Sequence, residues 1–420
     1  MKNGRKNPND VRIVITGMGT INPLGSTVAE YWDALIKGKS GIRTIKNTTV
    51  GDYPVRIAGE VDLPDLGLYF KERKMARRLD RYVVLAQIAG TQAVKDSGID
   101  IEKAPQRYGS VIGTGDGGVE HHWVNIKRIV QDGMQSASPF FIMSIPNTGA
   151  GYLAMEWNLQ GPSFSVNSAC ATANHAIGVA STLIKMGMAD AIFTGGSEAA
   201  IFPSGVAAFG NIGALSERND SPETASRPFD KDRDGFVLAE GSGVLCLEEL
   251  EHAKKRGAKI YAELTGVGFS ADAYDLVTPH PEARGSAKAI EDALDSARIT
   301  TSQVDLINCH ATSTVVGDVA ECTAINRVFK DLGPKVKCHS TKSMTGHSLA
   351  AASAIEAIAC ILAITKGVIH PTINQFEQDP AINLNVVRNK PMETNVDHVL
   401  SNGFGFAGQN AAIVLSKFKG

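Results

Sequence analysis

Short apolar runs that end near glycine alternate along this chain with longer stretches of helical periodicity. Two of the longer stretches, Val83–Ser97 and Ala173–Met186, have the length and apolar spacing of helices packed on a sheet. The short runs predict buried strands at Val11–Thr16, Gly109–Ile112, Ser163–Val166, Ala191–Thr194 and Val244–Leu247. This alternation predicts an α/β fold in which helices lie between or outside layered sheets.

A change of pattern near residue 256 suggests a boundary. The charged stretch Glu248–Lys259 predicts a helix, and residues 260–268 then begin a strand. That strand repeats in Thr265–Gly268 the Thr-Gly-x-Gly pattern of Thr16–Gly19, which fits an internal duplication or chance equally well. We therefore expect two halves, residues 1–256 and 257–420. The alternation continues in the second half at Val304–Cys309, Lys335–Ser340, Ala351–Thr365 and His398–Asn402.

Composition narrows the class of protein. The chain of 420 residues is 43% hydrophobic, and 42 basic against 44 acidic residues leave a formal charge of -2. This balance offers no overall attraction to nucleic acid or to an anionic membrane. Residues 1–10 are polar, without the apolar core of a secretory signal, and no uninterrupted apolar run of about 18 residues or more follows. We expect a soluble, cytoplasmic protein without membrane insertion.

The six cysteines show no C-x-x-C spacing and none of the Cys/His pairings typical of zinc sites, so we expect reduced thiols and no metal. Cys170 differs from the others because the segment GPSFSVNSACATANHAIG places it between a strand and a helix. The N–H groups at a helix N-terminus favour a thiolate and can bind an oxyanion. The alternative is that Cys170 is a buried packing residue.

Two histidines of the second half also follow apolar strands. His310 stands in NCHATSTVVGD, and His347 stands in CHSTKSMTGHSLAAA, five residues after Lys342. Loops at strand ends are where α/β folds assemble sites. Each histidine alone is compatible with a structural role, whereas both together with Cys170 fit a nucleophile with two imidazole donors.

A glycine-rich loop, SNGFGFAGQNAAIVL, follows the strand that ends at Asn402. Its glycines, Gly403, Gly405 and Gly408, let the backbone approach a site closely. Such a loop could donate a backbone N–H to an oxyanion while Phe404 and Phe406 gate an apolar tunnel. The alternative is a turn with two core aromatics.

These pieces, in this order, resemble the elongating condensing enzymes of fatty-acid synthesis, the β-ketoacyl-acyl-carrier-protein synthases, and type II in particular. The resemblance covers nearly the whole chain. It includes TGMGTINPLG near the start, SRPFDKDRDGFVLAEGSGVLCLEELEHAKKRGAKIYAEL in the middle, the run of Asp318 and Glu321, and PTIN at Pro371–Asn374.

The resemblance implies the thiolase fold, a five-layered α-β-α-β-α arrangement of two related halves, and a homodimer without a cofactor. It makes Cys170 the nucleophile, His310 and His347 its paired histidines, and Lys342 the lysine that supports them. It also implies an oxyanion hole from the N–H groups of Cys170 and Phe406, with Phe406 as gate. The other residues carried over are Phe404, Thr312, Thr314 and Asp116 at the substrate, and Asp318 and Glu321 as structural acids, Glu321 being near Lys342.

The reaction that the resemblance implies is a ping-pong condensation. Cys170 takes an acyl group from an acyl-carrier protein, malonyl-carrier protein then loses carbon dioxide, and the carbanion attacks the acyl-enzyme. Two neutral imidazole N–H donors suit the negative charge that develops on the malonyl thioester oxygen. A positive charge on Lys342 would keep a histidine neutral.

Some positions depart from the family pattern. Ala311 and Ala407 stand where glycine is usual, Val315 where proline is frequent, and Gln409 where threonine is common; we expect these changes to be tolerated. Asp116 stands where the family usually has an apolar residue or glycine that reaches across the dimer toward the acyl pocket. A carboxylate there could shorten or reshape the pocket.

The acyl-carrier protein is acidic, and five cations within eight residues resemble the family's basic docking region: Lys71, Arg73, Lys74, Arg77 and Arg78. They could steer an acidic helix toward the site. The alternative is an ordinary solvated surface.

Other functions fit less well. Residues 113–118 match G-x-G-x-x-G without a clear paired acid on the next strand, and a hydrolase elbow at residues 196–199 lacks its final glycine. A thiolase would need a second active-site cysteine, and a non-catalytic chain-length factor would lack Cys170. An active ketosynthase of a polyketide or specialised lipid pathway remains an alternative.

Overall fold

The computed structural model describes residues 7–420 and contains one large mixed sheet. Helices cover both outer faces of this sheet, and further helices lie between its two halves. Residues 1–6, on which the predicted absence of a signal sequence partly depends, lie outside the described residues. The strands are β1 Ile13–Ile21, β2 Arg43–Thr44, β3 Ile57–Ala58, β4 Tyr108–Gly113, β5 Ser163–Phe164, β6 Ala191–Glu198, β7 Gly241–Glu249, β8 Ala262–Ala271, β9 Leu306–Asn308, β10 Lys337–His339, β11 Val368–Ile369, β12 Asn385–Val386, β13 Met392–Glu393, β14 His398–Gly405 and β15 Gln409–Ser416. The helices are α1 Val28–Ile36, α2 Arg81–Ser97, α3 Val119–Asp132, α4 Thr148–Trp157, α5 Thr172–Lys185, α6 Pro203–Asn211, α7 Leu250–Lys255, α8 Arg284–Ala297, α9 Val315–Phe329, α10 Lys342–Thr345 and α11 Ala352–Lys366.

The large sheet has the strand order β12-β10-β9-β14-β15-β8-β1-β7-β6-β4-β5. Among residues 7–420, the strand pairing that joins the two halves of this sheet is that of residues 13–15 of β1 with residues 262–264 of β8. Helices α5 and α11 contact strands of both halves, whereas α2 and α4 cover the first half and α8 and α9 the second. The α-β-α-β-α layering of the thiolase fold is therefore present as predicted.

Strands β1 and β8 carry the same glycine pattern for the same packing reason. Gly17 and Gly19 of β1 face α2, and Gly266 and Gly268 of β8 face α8. A Cβ on any of these four glycines would come within 2.0–2.5 Å of a helix backbone oxygen. Glycine is required at each because the helix backbone lies directly against the strand.

The central helix α11 is apolar on nearly every side, as a helix between two sheet layers must be. The 18-residue stretch Leu349–Lys366 is long and apolar enough to cross a membrane, but 89% of it is buried inside the protein. It also contains the buried acid Glu356, which places it in the core.

Two local predictions were wrong. The predicted buried strand at Ser163–Val166 is the short edge strand β5, and both of its residues are exposed because no strand covers that edge within one chain. The predicted helix from Glu248 begins two residues later, since Glu248 is still paired in β7, where its buried carboxylate binds Arg256 and His252.

Candidate active site

Cys170 lies at a sharp turn between the sheet and the central helix α5. Residues 169–171 form one 3-10 turn, and α5 begins at Thr172. Ala169, just before the cysteine, has φ 49°, a left-handed conformation that is unfavourable for alanine. The chain therefore holds a strained backbone at this turn, as nucleophile-bearing turns often do.

His347 lies beside the thiol, with Nε2 at 3.1 Å from Sγ of Cys170. Its backbone N–H donates to the carbonyl of Val237 at 2.8 Å, and its ring packs edge-on against Phe236 at 5.2 Å. The segment 226–237, through Phe236 and Val237 at its end, thus holds His347 beside Cys170, although the two residues are 177 positions apart in sequence.

His310 completes the cluster, with its ring centroid 5.3 Å from that of His347 at 84°. The sulfur and nitrogen donors of Cys170, His310 and His347 all lie within 4.8 Å of one another, so these residues could also hold a zinc-type ion. The turn at His310 is held by Glu321, whose carboxylate accepts the N–H of His310 at 2.8 Å and of Ala311 at 2.7 Å. The predicted meeting of the three residues is what the structure has.

Both histidines are neutral at physiological pH. Burial lowers the pKa of His310 and His347 well below the usual range, and the positive charge of Lys342 lowers both further. The prediction that Lys342 keeps the imidazoles neutral has the right direction, although burial is the larger cause.

Burial opposes the effect of the helix N-terminus on the Cys170 thiol. Burial raises the pKa of the Cys170 thiol to about 12, and this outweighs the opposite effects of Lys342 and of the backbone N–H groups of Phe406 and Cys170. The thiol is therefore protonated at rest, and Nε2 of His347 is the base within reach of its proton.

Lys342 is fully buried, and its Nζ binds Glu356 Oε1 at 2.5 Å. The acid expected near this lysine was Glu321; it is buried, the charge of Lys342 acts to lower its pKa, and its carboxylate accepts N–H groups of His310 and Asn402. Burial raises the pKa of Glu321 to about 7, and the N–H donors act against this. Glu356 was missed in the sequence, where its one signal is a carboxylate in the middle of the apolar stretch ASAIEAIACIL.

The glycine-rich loop lies against the nucleophile as predicted. A Cβ on Gly405 would be 2.8 Å from the Ser168 carbonyl and 3.2 Å from the Cys170 nitrogen, so only glycine allows this approach. The backbone N–H groups of Phe406 and Cys170 both face the thiol and lower its pKa. They are placed where an oxyanion on a Cys170 thioester would form.

A cavity of about 330 Å³ opens on Cys170, His310 and His347. Its wall is mostly apolar, and it includes the predicted substrate residues Phe404, Thr312 and Thr314. Further apolar lining residues include Phe209, Phe236, Val315, Val316, Leu349 and Phe406. Such a wall suits an acyl chain with a thioester at its inner end.

Comparison with known families agrees with this geometry. Residues 10–253 match the beta-ketoacyl synthase N-terminal domain, and residues 261–376 match the beta-ketoacyl synthase C-terminal domain. The chain belongs to the β-ketoacyl synthase family. It is an acyl-transferring condensing enzyme.

Relatives of this β-ketoacyl synthase match along nearly its whole length. A 3-oxoacyl-[acyl-carrier-protein] synthase 2 of Vibrio harveyi is 43% identical over 97% of this chain and 98% of the relative. Among solved structures, the ishigamide ketosynthase/chain length factor has a TM-score of 0.91 at 34% identity, covering 97% of this chain and all (100%) of that chain. A type II PKS acyl-carrier protein in complex with its ketosynthase bound to the hexaketide has a TM-score of 0.89 at 32% identity, with the same coverage, 97% and 100%.

The long motif SRPFDKDRDGFV of this β-ketoacyl synthase forms hydrogen bonds with the loop that follows His310. Arg233 is buried, and its guanidinium donates to the backbone carbonyls of Thr314 and Val315. The Asp318 carboxylate accepts the N–H of Phe229 and of Ser313, and burial raises its pKa to about 6. Asp318 has the structural position that was expected for it.

Asp116 is exposed and does not line the cavity of its own chain. It lies in the glycine-rich turn between β4 and α3, whose N–H groups at Gly115 and Asp116 donate to the buried carboxylate of Glu198. Because a protein carboxylate already accepts these N–H groups, the turn does not present them to a pyrophosphate. Glu198 was another residue that the sequence reading missed.

The five cations of the basic cluster are all exposed. Arg73 lies 3.4 Å from Asp65, Lys74 lies 3.2 Å from Glu72, and Arg78 lies over the ring of Phe140 at 5.1 Å. Lys71 and Arg77 have no ion pair within the described part of the chain. The cluster is thus exposed, and Lys71 and Arg77 are its two cations that are not engaged in an ion pair or a ring contact among the described residues.

One departure from the family pattern has a visible cost. Ala407 has φ 58°, which a glycine would adopt freely and which costs alanine about 1 kcal/mol. Its N–H donates to the carbonyl of Leu276 at 2.7 Å. The strained residue directly follows Phe406, so it helps to set the direction of the proposed gate.

Proposed function

We propose that this protein is an elongating β-ketoacyl-acyl-carrier-protein synthase of fatty-acid synthesis, with Cys170 as the acyl carrier. The observation that carries the proposal is the placement of Cys170, His310 and His347 within 4.8 Å of one another at an apolar cavity. The naming of the Vibrio harveyi relative as a 3-oxoacyl-[acyl-carrier-protein] synthase supports the substrate class.

In the first half-reaction the Cys170 sulfur attacks the thioester carbonyl of an acyl-carrier protein. Its proton passes to Nε2 of His347, 3.1 Å away, and then to the departing pantetheine thiolate. The N–H groups of Cys170 and Phe406 bind the oxyanion, after which the new C–S bond remains and the old one breaks.

In the second half-reaction malonyl-carrier protein enters, and its C–C bond to the carboxylate breaks with release of carbon dioxide. The electron pair goes to the thioester enolate, whose oxygen is bound by N–H donors of His310 and His347. The two rings are neutral and can therefore donate without bringing an acidic imidazolium to the carbanion. The carbanion attacks the carbonyl carbon of the Cys170 thioester and the C–S bond to Cys170 breaks; the leaving thiolate takes a proton from Nε2 of His347, which regains one from water.

Intact-protein mass spectrometry tests the proposal. Acyl-carrier proteins of different chain length should each add the mass of their acyl group to the enzyme, and malonyl-carrier protein should then discharge it as a β-ketoacyl product. The chain length that is accepted will show how Asp116 shapes the pocket. A lack of any adduct with the whole panel would contradict the proposal and direct attention to coenzyme A thioesters.

The acyl-carrier protein is the proposed partner, and the solved complex of a carrier protein with its ketosynthase supports this choice. Changing Lys71 and Arg77 to glutamate should raise the KM for acyl-carrier protein about tenfold and leave kcat nearly unchanged, because these exposed cations contribute to encounter. Steady-state kinetics at low salt checks this.

Arg388→Glu combined with Lys390→Glu is the matched control, since both residues are also exposed but lie in the second half, outside the basic cluster, and the net charge changes by the same amount. It should leave the KM within about twofold of the unchanged protein. An equal rise for both variants would mean a general effect of net charge, and the docking assignment would then be wrong.

The proposed homodimer and the division at residue 256 have separate support. Helix α3 and the segment after it expose large apolar side chains, among them Trp123, Val130, Met134 and Ile142, and β5 forms an edge of the large sheet. The matched family domains change between residues 253 and 261, and β1 and β8 pack on their helices through the same glycine pattern.

A polyketide or specialised lipid pathway is the second candidate. The high structural similarity to the ishigamide ketosynthase/chain length factor supports it, and the carboxylate of Asp116 sets this chain apart from the usual pattern of the fatty-acid enzymes. The acyl panel distinguishes the two, since a saturated-chain preference supports fatty-acid synthesis.

A further inference from the structure

Two stacked histidines lie outside the cavity in the core of the second half. The rings of His339 and His370 are 3.9 Å apart at an interplanar angle of 22°, and both residues are fully buried. Neither lines the active-site cavity. Buried imidazoles cost more than apolar side chains unless they form hydrogen bonds, so the partners of each ring show what it does.

His370 is the member of the pair with a partner near the active site. Its Nδ1 lies 2.9 Å from the Pro371 carbonyl, which can only accept, so Nδ1 carries the proton. Burial lowers the pKa of His370 to about 4, so the ring is neutral and Nε2 accepts. The hydroxyl of Thr341, 3.0 Å away, therefore donates to Nε2.

His339 has no such link. Its Nδ1 lies 3.4 Å from the His370 carbonyl, and its Nε2 has no hydrogen-bond partner among residues 7–420. The two rings thus share the same packing environment, but only His370 binds the residue that precedes Lys342.

Helix α10 carries Lys342 and has only four residues, too few to be stable through its own hydrogen bonds. The segment His370–Ile373 supplies bonds from outside. Thr372 Oγ1 accepts the N–H of Ser340 at 2.9 Å, and the N–H of Ile373 donates to Ser343 Oγ at 3.1 Å. The bond from Thr341 to His370 is the third, and it lies directly before the lysine.

The far end of the lysine is held by a second set of contacts. Glu356 binds Nζ, and Asn308 Nδ2 donates to the other oxygen of Glu356 at 3.3 Å. Asn308 Oδ1 lies 3.5 Å from the Thr341 hydroxyl, so the two sets are neighbours, although the one hydroxyl proton of Thr341 goes to His370. The base of Lys342 depends on His370 through Thr341, and its tip depends on Glu356.

We propose that His370 is a positioning residue for decarboxylative condensation, which acts through Thr341 to place Lys342. The inference rests on the proposed function, in which the charge of Lys342 acts on His310 and His347. A lysine that is held less firmly presents its charge less well to the two imidazoles, and this weakens the step that needs them as neutral donors.

The test compares His370→Leu, which removes the acceptor, with His370→Gln, which keeps an acceptor near the position of Nε2. In His370→Leu the kcat of condensation should fall about tenfold. The KM for malonyl-carrier protein and the acylation of Cys170, followed by intact mass, should stay unchanged. His370→Gln should recover most of the rate.

His339→Leu is the matched control, because it removes one ring of the same stack and leaves the Thr341 bond. An equal fall in kcat for His339→Leu would overturn the proposal, since loosened packing would then explain the effect. Thr341→Val and Thr341→Ser repeat the test without touching the stack, and only Thr341→Ser should retain the rate. If the unchanged protein condenses and His370→Leu and Thr341→Val do so equally well, this inference fails alone; if the unchanged protein does not condense, the proposed function fails.

Discussion

Replacing Cys170 with alanine is expected to abolish the acyl-enzyme and to reduce condensation at least about 1000-fold. Cys170 is the cysteine at the cavity that lies within 3.1 Å of a histidine nitrogen, and no other cysteine lines the described cavity. The mass of the enzyme after incubation with an acyl-carrier protein should therefore not change. Decarboxylation of malonyl-carrier protein should persist, because it needs the histidines and not the thiol.

The matched control is Cys246→Ala. Cys246 is also fully buried, but it lies in β7, where Thr16 Oγ1 is 3.5 Å from its sulfur. Its loss should leave the acyl adduct and the rate of condensation almost unchanged. An adduct of full mass on Cys170→Ala would contradict the assignment of the nucleophile and with it the mechanism.

Replacing Lys342 with methionine is expected to destabilise the protein by about 3–5 kcal/mol, because it leaves the carboxylate of Glu356 buried without its cation. The same change should lower the rate of decarboxylation about 100-fold. Urea unfolding and the release of carbon dioxide measure the two effects separately. Lys342→Met combined with Glu356→Gln should recover much of the stability but not the rate.

The pH dependence of the reaction rate shows whether Lys342 raises or lowers the pKa values of the two histidines. The charge of Lys342 lowers the pKa of His310 and His347, so its removal lets both pKa values rise toward the usual range. A histidine with a higher pKa is protonated at a higher pH, so the acidic limb of the rate profile should move to higher pH. Full recovery of condensation in the double variant, or an unmoved acidic limb, would contradict the role given to Lys342.

The stability profile follows from the same histidines. Their folded pKa values lie below the unfolded value, so the folded protein binds fewer protons near that value. Their contribution to the free energy of unfolding is complete above about pH 6.5, the unfolded pKa. It declines as the pH falls from there toward the lower pKa values of the folded state. This loss is part of the ordinary response of the fold to acid.

Much of the fold could be predicted from local pattern. The limits of α2 and α5 are within two residues of prediction, because each is a long stretch in which most residues are apolar or small and are buried. The failures were at β5 and at residue 248, where the outcome depends on what lies beside the segment. An edge strand and a central strand can have similar apolar sequences, so the position of the strand in the sheet is needed to distinguish them.

The chemistry of this protein could be predicted before its structure. The residue types at Cys170, His310 and His347 and their places after strands fit a nucleophile with two imidazole donors, because loops at strand ends assemble sites, and the resemblance of nearly the whole chain to the condensing enzymes made this a condensing site. The electrostatics of the site depend on the folded structure: Glu356 forms the ion pair with Lys342, and burial raises the pKa of the Cys170 thiol. Burial and charge contacts arise between segments far apart in sequence, so no local pattern contains them.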